Sequence, residues 1–180
     1  TLFGLLMVYS ASIALADGPR YESYGRYYFV IRHALFIVVG VVLAMFTATV
    51  PLRVWQKLAV PLFALAIFLL MVVLIPGIGR EVNGARRWLP LGIINFQPSE
   101  LMKVAMVLYA ADYTVRKQQH LHTFIRGFLP MAVALGLVGV LLLMEPDLGA
   151  FMVIVAIAVG ILFIGGINGK LFSALLGIMV

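Results

Sequence analysis

Two ionisable residues, Glu100 and Lys103, stand three apart in a run otherwise suited to apolar surroundings, QPSELMKVAMVLYA. At that spacing on a helix the two side chains share a face and can reach each other. Pro98 occupies the expected first helical position, where proline is favoured, so Glu100 falls in the first turn and complements the helix dipole. Lys103 does the opposite. It places a cation one turn into the helix, among Leu101, Val104, Met106 and Val107. A charge at a helix centre in lipid costs about 2.5–3.5 kcal/mol on insertion scales, so such residues persist when they pair and face a bundle interior or a polar cavity. The pair is therefore read as functional rather than as a purely structural ion pair.

Other side chains could join it. Arg86-Arg87-Trp88 lies in the Gly-containing stretch GREVNGARRWLPLGIINF that leads into Gln97, Pro98 and Ser99. Adjacent guanidiniums suit a phosphate or pyrophosphate through bidentate hydrogen bonds, yet arginines beside a tryptophan also anchor many membrane boundaries. On chemistry alone both readings stand. Glu145-Pro146-Asp147 can be an ordinary corner in which Asp147 caps the next helix, or a buried acidic knot that orders nearby bases. Asp112 and Arg116, four apart, read as a helix-end pair, and His120 and His122 as solvent-exposed loop residues. There is no nucleotide loop, nucleophile elbow or metal-ligand spacing. With no cysteine there is no disulfide, zinc site or thiol nucleophile.

The elements that must position these groups are transmembrane helices. Hydrophobic residues make up 64% of the 180-residue chain and charged residues 11%, with a mean hydropathy of +1.12. A soluble domain is about 45–50% apolar and roughly 25% charged, so lipid must serve as the solvent for part of this surface. The fold class expected is all-α, a polytopic transmembrane bundle forming a single transmembrane domain. Seven helices are predicted, near 1–16, 33–50, 58–75, 98–115, 129–144, 148–165 and from 171 to 180, the first and last incomplete. Leu5–Ala16 has the look of a signal-peptide core, but further apolar runs follow and a first transmembrane helix is the better reading. Thr1 and Val180 both fall inside apolar stretches, so the chain is expected to be the N-terminal portion of a longer protein.

The connections carry the polar residues. Asp17–Arg32 holds Tyr21, Tyr24, Tyr27 and Tyr28, as an interfacial aromatic belt would. Pro51–Lys57 is expected to be a tight basic turn, Pro76–Gln97 the longest and Gly-rich connection, and Arg116–Phe128 a basic loop. One set of alternate loops holds Arg53, Lys57, Arg116, Lys117, Arg126 and Lys170, and the other Arg20, Arg26, Arg32, Arg80, Arg86 and Arg87. The positive-inside count is a tie. All loop acids sit with the second set, so an anionic substrate on that side would explain its arginines. The net charge of +6 is spread over short clusters, which suits membrane headgroups; no groove-reading module appears, and nucleic acid is excluded as a partner.

The run NGARRWLPLGIINFQPSELMK, followed by MEPDLG, resembles the SEDS family (shape, elongation, division and sporulation) of bacterial cell-wall polymerases, and the opening LLMVYSAS and the loop IPGIGREVNGARRW look most like its division-type branch, with the rod-elongation branch next. The resemblance runs from Leu5 to about Lys170. It implies about ten transmembrane helices in the bacterial inner membrane, with a cytoplasmic N-terminus and the Arg86 loop and Glu145–Asp147 corner outside the cytoplasm. It implies polymerisation of lipid II into glycan strands, the 4-hydroxyl of an acceptor sugar attacking the anomeric carbon of a lipid-pyrophosphate donor. It implies a class B penicillin-binding protein as transpeptidase partner, alongside other divisome membrane proteins and the membrane lipid. Glu100 and Lys103 match the family's buried acid–base pair, Asp147 the acid of its PDLG motif, and Arg86 and Trp88 its preceding Arg and Trp. Substrate contacts are expected from Arg86, Arg87, Trp88, Gln97, Ser99 and Lys103, with Glu100 and Asp147 in support. The catalytic carboxylate is expected beyond Val180, which would leave this portion inactive alone. No cofactor is required by the resemblance, and a divalent cation is left open. The competing reading is a transporter of the lipid-linked precursor, disfavoured by the absence of matched broken helices.

Overall fold

A backbone in lipid has no water to bond with, so each polar group must find its partner inside the chain. The computed structural model meets that constraint mainly with helices. It describes residues 2–16, 28–82, 84–90, 95–121 and 123–166. The helices are α1 (Leu2–Ala16), α2 (Tyr28–Thr49), α3 (Leu52–Leu74), α4 (Pro98–Arg116), α5 (Leu129–Met144) and α6 (Leu148–Ile164). The seventh helix expected near 171, His122 and the tyrosines at 21, 24 and 27 lie outside the described residues. Contacts divide the chain into two units, Thr1–Pro51 with α1 and α2, and Leu52–Val180 with the rest.

Three spans among the described residues are long and apolar enough to cross a bilayer: Val30–Thr49, Leu52–Leu74 and Phe124–Met144. Large apolar side chains such as Val42, Phe68 and Val133 are exposed on their surfaces, as expected where lipid replaces water. Helix α2 starts five residues before the predicted boundary, and Arg32 donates to Tyr28 Oη at 3.1 Å from its first turns. Helix α3 starts at Leu52, so Arg53 and Lys57 ride on its first two turns instead of forming the predicted tight turn. Long basic side chains can extend from a helix end towards headgroups, which removes the need for a loop. Pro61 is accommodated within α3. Ahead of α5, Phe124–Phe128 forms a π-helical turn that runs straight into the helix. Arg126 therefore belongs to a continuous apolar span, not to the predicted loop.

In the second unit α4 is the central element, touching both α3 and α6. Its Met102, Ala105, Met106, Ala110 and Tyr113 are buried together with Phe63, Ala66 and Leu70 of α3 and Ala150, Ile154, Ala158 and Leu162 of α6. Alanines along these faces let helix backbones approach closely, the usual basis of packing in lipid. Phe63 stacks on Tyr109 with ring centroids 4.3 Å apart. Ser99 meets Asp147 at one end, and Thr114 lies against Gly165 at the other, so α4 and α6 run parallel.

The largest departure from expectation is the connection between α3 and α4. Instead of an irregular loop it contains a three-stranded antiparallel sheet, β1 (Arg80–Val82), β2 (Ala85–Pro90) and β3 (Asn95–Phe96), in the order β1-β2-β3. Val82 pairs with Ala85, Glu81 with Arg86, and Leu89 with Phe96. The dipeptide Asn83-Gly84 between the paired Val82 and Ala85 is the hairpin signal, and Gly84 adopts a φ of 78°, which favours glycine. Pairing satisfies backbone groups that a loop near the membrane would leave to water.

The two ends of this unit differ in charge. Arg53, Lys57, Arg116, Lys117 and Arg126 gather at the end where α3 begins and α4 finishes, accompanied only by Asp112, whose Oδ2 takes a 2.7 Å bond from Arg116 Nε. The expected helix-end pair is thus present, and His120 is exposed beside it. At the hairpin end bases and acids are mixed. Below the basic end, Tyr113 Oη donates to the Gly127 carbonyl at 2.7 Å, and a Cβ at Gly127 would strike the His120 carbonyl. Gly127→Ala should therefore destabilise the full-length protein by about 1–3 kcal/mol. Gly136→Ala, with open space around its Cβ, should be neutral or slightly stabilising; thermal midpoints in detergent compare the two.

Candidate active site

The site is assembled at the hairpin end from α4, α6 and β2. Asp147 is the N-cap of α6, and its Oδ1 accepts the Ala150 N–H at 3.2 Å. Its Oδ2 accepts from Gln97 Nε2 at 3.2 Å and from Ser99 Oγ at 3.3 Å. This draws the start of α4 against the start of α6. It also explains why Gln97, the residue preceding α4, makes no side-chain cap of its own helix. The donors of Gln97 and Ser99, expected to touch substrate, are committed to Asp147.

One turn into α4, Lys103 Nζ donates to Glu100 Oε1 at 2.8 Å. The predicted i, i+3 pair forms, but it is not enclosed. The Glu100 side chain is 61% exposed and that of Lys103 27%. Among these 180 residues the pair sits on the open flank of α4, because Ser99, Met102, Ala105 and Met106 take the packed side of the helix. The expected buried pair is in this respect corrected.

The sheet separates the two arginines. Successive residues of a strand point to opposite faces. Ala85, Arg87 and Leu89 turn one way, with Ala85 and Leu89 buried; Arg86 and Trp88, on the other face, are half-buried. Arg87 Nε donates to the Glu145 carbonyl at 3.1 Å, and its Nη2 donates to the Pro146 carbonyl. Arg87 thus clamps the hairpin to the α5–α6 corner, and its guanidinium is directed away from an outside ligand. Arg86 Nε donates to Glu81 Oε2 at 3.2 Å across the hairpin. Arg86 and Glu81 line an open recess of ≈ 400 Å³ together with Leu74, Gly84, Met144 and Pro146. No hydrogen bond or ion pair among the described residues links Glu100 or Lys103 to Arg86, Arg87 or Asp147.

A second carboxyl lies at the corner. Glu145 is fully buried, and neither carboxyl oxygen has a hydrogen-bond partner. Burial, reinforced by the neighbouring charge of Asp147 and partly offset by Arg87, pushes its pKa up to about 8. No group of three or more His, Asp or Glu side chains able to hold a metal gathers among the described residues.

The protein-family model that includes FtsW, RodA and SpoVE, described as "Cell cycle protein", matches residues 1–180. The chain belongs to this family. Among curated FtsW/RodA/SpoVE relatives, one from Burkholderia thailandensis, named "Probable peptidoglycan glycosyltransferase FtsW", is 58% identical over 177 residues, covering 98% of this chain and 38% of the relative. One of the same name from Polynucleobacter necessarius is 52% identical over 177 residues, covering 98% of this chain and 42% of the relative. The rod shape determining protein RodA of Thermus thermophilus superposes with a TM-score of 0.68 at 28% identity, over 96% of this chain and 56% of that one. A structure described as "Structural coordination of polymerization and crosslinking by a peptidoglycan synthase complex" superposes with a TM-score of 0.70 at 27% identity, over 99% and 52%. This family member is thus a multi-pass helical membrane protein, and the chain spans roughly two fifths of the length of the curated relatives it matches.

The two arginines should separate by mutation. Charge-assisted hydrogen bonds contribute about 1.5–3 kcal/mol, so Arg87→Ala should raise protease cleavage within the hairpin tenfold or more. Arg86→Ala removes an exposed pair, of a kind that contributes about 0–1 kcal/mol, and should leave cleavage nearly unchanged. Limited proteolysis of the full-length protein in membranes measures both.

Proposed function

We propose that the whole protein is a peptidoglycan glycosyltransferase of bacterial cell division, polymerising lipid II in the inner membrane beside a class B penicillin-binding protein. The observation that carries this reading is the match of the entire chain to the family, with relatives named for that activity at 52–58% identity. The geometry adds a rationale. A lipid-pyrophosphate donor keeps its tails in the bilayer and its anionic head at the interface. The hairpin end offers that head a half-polar recess at Arg86 and a lysine one turn into a neighbouring helix.

In this reading the acceptor 4-hydroxyl attacks the anomeric carbon, the carbon–oxygen bond to the pyrophosphate breaks, and negative charge collects on the leaving group. Arg86 and Lys103 supply fixed positive charge to that developing anion. Glu100 holds the Lys103 ammonium in place through the 2.8 Å bond. Asp147 acts at one remove, by fixing the start of α4 through Gln97 and Ser99. Trp88, half-buried beside Arg86 on the same strand, bounds the head-group region. The base that takes the acceptor's proton is assigned to the part of the protein after Val180. Other divisome membrane proteins complete the setting.

The test uses full-length protein with its transpeptidase partner, the partner's active site blocked, and labelled lipid II. Wild type should yield glycan polymer. Loss of one electrostatic donor typically costs about 10²–10³-fold in rate, so Lys103→Ala and Arg86→Ala should fall by that order at normal membrane levels. Full polymerase activity in Glu100→Ala would remove Glu100 from the site. Protein-dependent movement of lipid II across vesicles without polymer would turn the assignment to a transporter.

A further inference from the structure

The α5–α6 corner holds two carboxyls in opposite circumstances. Asp147 receives three donors, the Ala150 N–H, Gln97 Nε2 and Ser99 Oγ. Glu145, two residues earlier, is 0% exposed, and neither of its oxygens meets a donor. The nearest cation does not serve it. Arg87 spends its guanidinium on the main-chain carbonyls of Glu145 and Pro146.

Among the described residues nothing else packed against the corner is placed to neutralise a charge there. From β2 the facing charged group is Arg87, and from the start of α6 it is Asp147. Helix α5 carries no titratable residue, and the bases of α3, Arg53 and Lys57, lie at the opposite end. Helix α4 presents the uncharged Ser99, while its Lys103 is bonded to Glu100. A buried carboxylate with no donor and a second carboxylate beside it is strongly disfavoured over the neutral acid.

We propose that Glu145 is held protonated and serves as a positioning residue. Its neutral carboxyl allows the corner to close; the closed corner presents the two carbonyls that grip Arg87; and loss of the proton releases Arg87 and, with it, the hairpin that carries Arg86. The step is an acid dissociation, the proton leaving to solvent and the carboxylate requiring water that only an opened corner admits. The coupling itself does not depend on the enzymatic reading above. Only its effect on polymerisation rests on that reading.

Burial accords with this, since it raises the Glu145 pKa from its ordinary 4.5 to about 8. Below 4.5 the carboxyl is neutral whether the corner is closed or open, and closure is undiminished. Between 4.5 and about 8 the open form ionises while the closed form does not, so closure weakens with rising pH. Above about 8 the carboxylate, and with it the opened corner, prevails.

The test is made on the full-length protein in lipid nanodiscs. Infrared difference spectra between neutral and alkaline pH should show a protonated-carboxyl stretch that disappears around pH 8 in wild type and is missing in Glu145→Gln. Hydrogen exchange of the amides of 85–89, corrected for intrinsic rates, should lose protection about tenfold per pH unit between roughly pH 5 and 8. In Glu145→Gln that protection should stay level. Asp147→Asn keeps Glu145 but removes its anionic neighbour, and should move the loss of the infrared band to lower pH. Absence of the band from wild type at neutral pH would overturn the proposal. So would hairpin protection in Glu145→Gln that declines as steeply as in wild type. Polymer formation should follow hairpin protection. A protein with the infrared and exchange behaviour but no polymer from lipid II would leave the coupling standing and refute the proposed activity.

Discussion

The Asp147 carboxylate is the joint on which the hairpin end of the second unit depends. A single side chain caps α6, holds the residue before α4 and holds the first turn of α4. Two helices running parallel have no short turn between their starts, so their relative height must be fixed by side chains. In a bilayer the hydrophobic effect does not choose that height, because a helix shifted by one turn is as well solvated by lipid as before. Directional hydrogen bonds to an acid can choose it. Their removal would leave α4 and α6 attached by apolar packing, tight but poorly keyed.

The next layer follows from that joint. With the corner fixed, its carbonyls can receive Arg87, and with Arg87 engaged β2 lies with Ala85 and Leu89 inward and Arg86 outward. Adjacent arginines, equivalent as chemistry, are thereby divided, Arg87 holding the corner and Arg86 lining the recess. Glu100 and Lys103 belong to the other outcome of the same geometry. The packed side of α4 is filled by Ser99, Met102, Ala105 and Met106, so the charged pair is left on the flank, where Lys103 remains reachable from outside the helix.

Much of this was legible from residue types. Pro98, the Glu100–Lys103 spacing and the Asp112–Arg116 spacing each gave a correct local geometry, because they are properties of a single helix. Asp147 was readable as a cap for the same reason. The sheet in 80–96 escaped because Gly-rich composition suggested a loop, although Asn83-Gly84 and the Ala85–Arg87–Leu89 alternation carried the signal. At Glu145-Pro146-Asp147 the sequence left a buried knot and an ordinary corner both open, and the engagement of Arg87 there was not readable. That engagement depends on contacts between residues 58 or 59 positions apart, which no local pattern encodes. The open flank at Glu100 was missed for a related reason: spacing tells which residues share a face, not what covers it.

The uneven ends of the second unit also give it an electrical direction. Among the described residues one end concentrates Arg53, Lys57, Arg116, Lys117 and Arg126 against the single acid Asp112, whereas at the other Arg80, Arg86 and Arg87 are accompanied by Glu81, Glu145 and Asp147. Each elementary charge carried across a membrane potential of 100 mV changes the energy by about 2.3 kcal/mol, and each base near an anionic leaflet gains about 1 kcal/mol. A membrane potential therefore acts unequally on the two ends, drawing more strongly on the basic one.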